Sequence, residues 1–287
     1  MCNYQIITDS TCDFPNGYYE TRNVTVVPLT VSFRGQEMED TNDDSLHTVY
    51  EALRAGEAAT TSAVNPQRWA SAMEPWLRQG RDLLVLAFSS GLSTTYQSAV
   101  IAAEDLGEKY PDRKILVVDT LAASLGEGLL LWHACKRRDE GMSLNDLHRW
   151  VEENKLHVCQ WFTVDDLMYL KRGGRISAAT AIVGTMLQIK PVLHVDNEGH
   201  LISKAKCRGR KASIEALARK LRETGAGWDN RFVTISHGDC LEDALYLEKL
   251  LKEQCGVEEV QISYVGAVIG SHAGPGTVAL FFLGSQR

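Results

Sequence analysis

The run Leu83-Leu84-Val85-Leu86-Ala87 leads directly into Phe88-Ser89-Ser90-Gly91-Leu92-Ser93-Thr94-Thr95-Tyr96-Gln97-Ser98, and a helical pattern, Ala99-Val100-Ile101-Ala102-Ala103, follows. A short apolar run bounded by small polar residues reads as a buried strand. The spacing after it reads as a helix. Strand, tight polar turn and helix in succession form the unit from which an α/β fold is built. The turn also bears on chemistry. Orphan amides and the dipole at a helix start attract negative charge, and the hydroxyls beside them add donors. A Ser- and Thr-rich helix cap has the same composition without any ligand. Taken alone, the stretch supports both readings.

The rest of the first half repeats the alternation. Tyr4-Gln5-Ile6-Ile7-Thr8-Asp9-Ser10 is a short strand that ends in a polar turn. Asp9 there stands either beside a ligand crevice or as the acceptor for its own turn amides. The β-rich run from Val24 to Phe33 carries Pro28, so it is expected at an edge or bent. Arg34-Gly35-Gln36 is a turn. Asp40-Thr41-Asn42-Asp43-Asp44-Ser45 reads as an acidic cap before a helix at Leu46, suited to the dipole and not to a metal. Thr60-Thr61-Ser62 precedes Asn65-Pro66, an N-cap and N1 pair, and reads either as a second polar cluster of interest or as solvent-facing loop. Ile115-Leu116-Val117-Val118-Asp119-Thr120 is a further strand. The spacing after it predicts a helix from Leu121 to Cys135.

Near residue 157 the pattern becomes mixed. A strand around Val158, a short helix at Leu167, the basic turn Lys171-Arg172-Gly173-Gly174-Arg175 and a helix over 177–187 are expected. A hairpin at Asp196-Asn197-Glu198-Gly199 follows. A second basic run, Lys206-Cys207-Arg208-Gly209-Arg210-Lys211, precedes another helix. His272 lies in the Gly-rich segment 266–276, expected as a loop between the last strands. The fold expected is α/β in two domains. Residues 1–160 form a parallel-sheet, Rossmann-like α/β domain, and residues 161–287 form a mixed α+β domain.

Composition narrows the function. A net charge of -7 argues against a general nucleic-acid binder. Seven cysteines without a C-x-x-C pair, and a start with no basic, apolar leader, are expected of reduced thiols in a cytoplasmic protein. Neither G-x-x-x-x-G-K-[ST] nor G-x-G-x-x-G is present, and no H-E-x-x-H motif points to a metal. No cofactor is therefore expected. Ser93 with His237 or His272 would make a hydrolytic pair, but the serine lacks the G-x-S-x-G frame. The hydroxyls are many for one nucleophile and suit a cradle for a carboxylate or phosphate. The two basic turns read either as a patch for a phosphate or acidic partner, or as solvated surface with ion pairs.

These stretches carry a resemblance. Ile7-Thr8-Asp9-Ser10, Thr60-Thr61-Ser62, Phe88-Ser89-Ser90-Gly91-Leu92-Ser93, Tyr96-Gln97-Ser98 and Val118-Asp119-Thr120 are similar, in order, to motifs of the DegV family of bacterial fatty-acid-binding proteins. So are Leu170-Lys171-Arg172-Gly173-Gly174-Arg175-Ile176, Ile189-Lys190-Pro191, Arg208-Gly209-Arg210-Lys211 and Gly270-Ser271-His272-Ala273-Gly274-Pro275-Gly276. The resemblance implies a long-chain fatty acid buried between two domains. It assigns the carboxylate to Thr61, Ser62 and Ser93 with His272 beside them; Thr94 is expected at the same site, with Ser90 and Gly91 as support of the anion cradle. It further implies a non-catalytic carrier that presents the acid to a partner fatty acid kinase for phospholipid synthesis. Arg172, Arg175 and Arg208 are then expected as partner or phosphate contacts. Downstream acyl-transfer enzymes, no nucleic acid, at most transient membrane contact and a monomer complete the expectation. The family typically has Gly after the serine; Thr94 stands here, narrowing the head-group end or adding a hydroxyl. A serine-dependent lipid or ester hydrolase and a fatty-acid-responsive regulator are the alternatives.

Overall fold

The computed structural model describes residues 3–41, 45–177, 188–285 and 287. Its first half is built on a four-stranded parallel sheet in the order β2-β1-β6-β7, with β1 Tyr4–Asp9, β2 Val24–Val27, β6 Asp82–Ala87 and β7 Ile115–Asp119. Strands buried on both faces need continuous apolar runs, which is what Leu83 to Ala87 supplies. Helices α3 (Pro66–Arg78) and α4 (Thr95–Lys109) cover one face. Helix α3 packs through Trp69, Met73 and Leu77, at a spacing of four. Asn65 caps it by accepting from the Arg68 amide at 2.9 Å.

The run through Pro28 divides. Residues before Pro28 form β2, and those after it form β3 (Thr30–Phe33), which belongs to a separate antiparallel sheet, β4-β3-β5. Its other strands are β4 (Gln36–Glu39) and β5 (Ala59–Ser62). Thr61 and Ser62 are therefore strand residues, paired with Val31 and Thr30, and not loop residues. Asp40 is no solvent cap. It is buried, and helix α2 (Leu46–Arg54) starts at Ser45 without a side-chain cap bond.

The second half is a six-stranded mixed sheet, β10-β9-β8-β13-β11-β12. It comprises β8 (Val158–Thr163), β9 (Ile189–Val195), β10 (Leu201–Arg208), β11 (Phe232–His237), β12 (Glu259–Tyr264) and β13 (Val278–Leu283). Only β11 and β12 run parallel; the other pairs are antiparallel. The boundary expected at residue 160 falls inside β8, all six residues of which belong to this sheet. Helices α8 (Arg210–Thr224) and α9 (Leu241–Cys255) cover its outer face. The helix expected over 177–187 lies, beyond Ser177, outside the described residues.

Helix α5 (Leu125–Asp139) lies between the two sheets and is buried along nearly all of its first two turns. Helix α6 (Leu144–Asn154), capped by Ser143, packs beside it. One apolar cluster runs from Ile6 and Leu84 through Leu129 and Leu130 to Phe162 and Phe281, joining the halves. Residues 121–124 form a turn where a helix was expected. Leu121 and Ser124 both have positive φ, at 51° and 56°. The sequence pattern was helical, but tertiary bonds dictate the turn. Asp119 Oδ1 accepts from the Leu121 amide, and Gln160 Oε1 accepts from the Ala123 amide. A short helix, α10 (Ala267–Ala273), replaces the expected Gly-rich loop and carries His272.

Candidate functional site: a cavity between the two sheets

The strand–turn–helix at residues 88–98 is fixed from three sides. Asp9 Oδ2 accepts from the Phe88 amide at 2.8 Å, and Asp119 Oδ1 accepts from the Ser90 amide at 3.1 Å. The Trp69 indole, wholly buried, donates to the Thr95 carbonyl at 3.1 Å and so pins the start of α4. Asp9 is thus an acceptor for turn amides, including Thr11. Burial pushes its carboxyl up to about 6, against the pull of those hydrogen bonds. Ser89 donates to the Gly199 carbonyl at 3.0 Å, tying the turn to the β9–β10 hairpin. Gly91 lies under that hairpin: a Cβ there would stand 2.8 Å from the Glu198 carbonyl oxygen. Its role is close approach, and it does not line the cavity.

The cavity that this turn faces has a volume of about 490 Å³, within the range of small-molecule sites. Its walls come from both halves. Leu29, Phe88 and Leu92 face Phe162, Leu170, Val195, Leu201, Ile269 and Phe281. Thr61, Ser62, Ser90, Ser93, Thr94, Arg175 and His272 line it as well. The structure therefore brings together every residue expected around the head group except Gly91. Thr94 occupies the N-cap position of α4 but makes no side-chain cap bond, so its exposed hydroxyl is an addition to the rim.

Hydrogen bonds sort the polar groups. Thr61 Oγ1 and His272 Nε2 are 2.8 Å apart. Burial, and then the charge of Arg175, lower the His272 imidazole to about 4, so it is neutral at ordinary pH. Ser93 Oγ lies 2.8 Å from Thr95 Oγ1 and accepts from the Thr95 amide. The serine thus pairs with a threonine, and the histidine pairs with a different threonine. His237 is elsewhere: its Nδ1 accepts from the Cys240 amide, and burial lowers it to about 4. The geometry does not assemble a Ser93–histidine pair.

The three expected arginines separate. Arg175 is half-buried and turned inward; its Nε and Nη2 donate to the Leu92 carbonyl at 3.2 and 2.9 Å. It clamps the Ser-Gly-Leu-Ser turn onto the end of α7 (Leu167–Arg172). Arg172 is exposed, stacked over Tyr169, and lines a smaller cavity of about 380 Å³ that shares Thr61, Arg175 and His272 with the first. Arg208 is exposed at the end of β10 and lines neither cavity. Ser124, Gln160 and Ile269 were not singled out from the sequence. Their signal is tertiary, since strand register and a turn place them. Among the described residues, no group of three or more His, Cys, Asp and Glu side chains is arranged to hold a metal, and no helix is long and apolar enough to cross a membrane.

Comparison with known proteins agrees with the fold. The family model "Uncharacterised protein, DegV family" matches residues 3–285. A DegV domain-containing protein of Clostridium perfringens (strain 13 / Type A) is 43% identical over 289 residues, covering 100% of this chain and 99% of that protein. A DegV family protein from Thermus thermophilus, described by its fatty acid binding, has 33% identity and a TM-score of 0.88, covering 98% of this chain and 99% of that one. A DegV lipid binding protein from Thermotoga maritima has 30% identity and a TM-score of 0.86, with full coverage of both chains. The fold, the order of the motifs and these full-length matches lead to one conclusion: this chain belongs to the DegV family.

Proposed function

We propose that the protein binds a long-chain fatty acid in the cavity between its sheets and presents the carboxylate to a partner fatty acid kinase. The observation that carries this is the division of the cavity lining, with apolar walls from both halves and hydroxyls of Thr61, Ser62, Ser93 and Thr94 with His272 grouped on it. Acyl burial is worth about 0.8 kcal/mol per methylene, so the walls supply affinity. A carboxylate leaving water needs hydrogen bonds, which hydroxyls provide. The solved relatives from Thermus thermophilus and Thermotoga maritima, described as fatty acid and lipid binding, support the same ligand class.

The hydrogen-bond partner of Ser93, which is Thr95, supports a binding subunit over a hydrolase. The kinase arm rests on the family resemblance and on Arg172 and Arg208, exposed cations on the second half. Solvent extraction of the purified protein followed by mass spectrometry tests the binding. A bound fatty acid, or uptake of added oleate or palmitate, is expected; neither occurring overturns it. In the same preparation, given a fatty acid kinase and ATP, Arg208→Ala is expected to retain lipid and to yield less acyl phosphate. Equal turnover removes the kinase arm.

A further inference from the structure

Helix α5 reaches the cavity wall from behind, through a glycine. A Cβ on Gly126 would stand 2.6 Å from Gln160 Oε1 and 2.8 Å from Phe281 Cδ1. Both are closer than side-chain atoms approach, so one partner has to move. Gln160 and Phe281 stand opposite each other in the β8–β13 register and both line the cavity.

The helix is the partner least free to yield. The Leu125 carbonyl accepts from Thr234 at 3.0 Å, holding α5 to β11. On the opposite side, Glu127 accepts from Thr8 and Thr11, each at 3.0 Å. A Cβ on Gly128 would stand 2.8 Å from the Cys12 carbonyl oxygen, so the helix has no room to retreat toward β1. Helix α5 is wedged between the halves, and the two side chains of the cavity wall are what give way.

Gln160 is a polar residue on a largely apolar wall, and its amide is satisfied. Its Oε1 accepts from the Ala123 amide at 3.0 Å, and its Nε2 donates to the Leu121 carbonyl at 3.2 Å. Those bonds also hold the 121–124 turn, where Ser124 has φ 56° and ψ -146°, a conformation costly for any residue with a Cβ. The wall made by Ala123, Ser124, Gln160 and Phe281 is therefore preset in depth. None of its members bonds to the Thr61–His272 or Ser93–Thr95 pairs.

We propose that Gly126 is a specificity-determining residue. Its missing side chain sets how far back Gln160 and Phe281 stand, and hence how deep the cavity is and which acyl chain length fits. This rests on the fatty-acid reading above. Gly126→Ala pushes Gln160 and Phe281 inward and shortens the preferred chain. Phe281→Leu removes ring volume from the same wall and lengthens it.

The test is competition of decanoic, dodecanoic, tetradecanoic, hexadecanoic and octadecanoic acids against a fluorescent fatty acid on delipidated full-length protein. Each methylene that no longer fits costs about fourfold in affinity. In Gly126→Ala the longest acids lose affinity stepwise while the shorter ones keep it, and in Phe281→Leu the optimum moves the other way. Equal losses at every length in Gly126→Ala, or no shift in either variant, overturn the inference. If Gly126→Ala does not fold, the double variant Gly126→Ala/Phe281→Leu decides: an optimum shorter than that of Phe281→Leu supports the inference, and one equal to it overturns the inference. A wild-type protein that binds none of the acids fails the fatty-acid reading itself, a result distinct from an unshifted optimum.

Discussion

A hydroxyl can hold a carboxylate only if its own acceptor needs are met and its proton is free to turn. Ser93 meets this condition: its oxygen accepts the Thr95 amide, and its proton is shared with Thr95 Oγ1 or offered to the cavity. Replacing it with alanine removes one donor to a desolvated carboxylate. The loss is about 1–3 kcal/mol, or roughly 5- to 150-fold in Kd. Calorimetric titration of Ser93→Ala with palmitate measures it, and an unchanged Kd removes Ser93 from the head-group site. At this scale the sequence was informative. The number of hydroxyls in 88–98 pointed to a cradle, and the structure aligns Ser90, Ser93 and Thr94 along the cavity. It was not informative about Arg175. A basic turn reads as surface, and only the fold shows the guanidinium donating inward to Leu92.

Among the elements, α10 shows how a site is held across two halves. Its N-terminal amide at Val268 donates to Asp40 Oδ1 at 3.2 Å, and the Tyr50 hydroxyl donates to the Val265 carbonyl at 2.7 Å. Its last turn carries His272 onto Thr61. Asp40 also accepts from Ser10 at 2.9 Å. Asp40→Ala leaves the Val268 amide and the Ser10 hydroxyl proton without an acceptor in a buried place, although the Ser10 oxygen still accepts from the Leu29 amide, at a cost of about 1–3 kcal/mol for an unsatisfied group. Asp40→Asn keeps an acceptor and costs less. Urea unfolding of the two variants ranks them, and equal stability overturns Asp40 as the anchor of α10. Sequence reading placed Asp40 in a local acidic cap because only neighbours are visible along a chain. Its actual partner, Val268, is 228 positions away. The β5 assignment failed for a related reason. Ala-Thr-Thr-Ser is too short and polar to show a period, and pairing with β3 decides its state.

The whole molecule is closed over buried ionisable groups of opposite habit, and its stability follows from both. Burial lowers His237 from 6.5 to about 4. A lowered folded value means that the stability it contributes is present above 6.5 and is lost as pH falls toward 4, about 3 kcal/mol in all. Burial raises Asp9 and Asp40 from 3.8 to about 6. Their contribution has the reverse sign: present below 3.8, lost as pH rises through about 6. Between about 4 and 6.5 the two trends oppose, so the wild-type profile is flattened there. His237→Gln removes one opposing arm and leaves the carboxylates. Across that window its stability relative to wild type falls with rising pH, read as the urea midpoint at each pH. Profiles that run parallel overturn the assignment of His237 as a buried neutral imidazole. Alternating strands and helices made the two-domain α/β plan legible, because period and turn chemistry are local properties of Leu83 to Ala87 and of Asn65-Pro66. The depth at which Asp9, Asp40 and His237 sit was not legible. Burial belongs to the packed halves, and the same Asp9 that reads as turn or crevice from its neighbours accepts both from its own turn at Thr11 and from Phe88, a strand away.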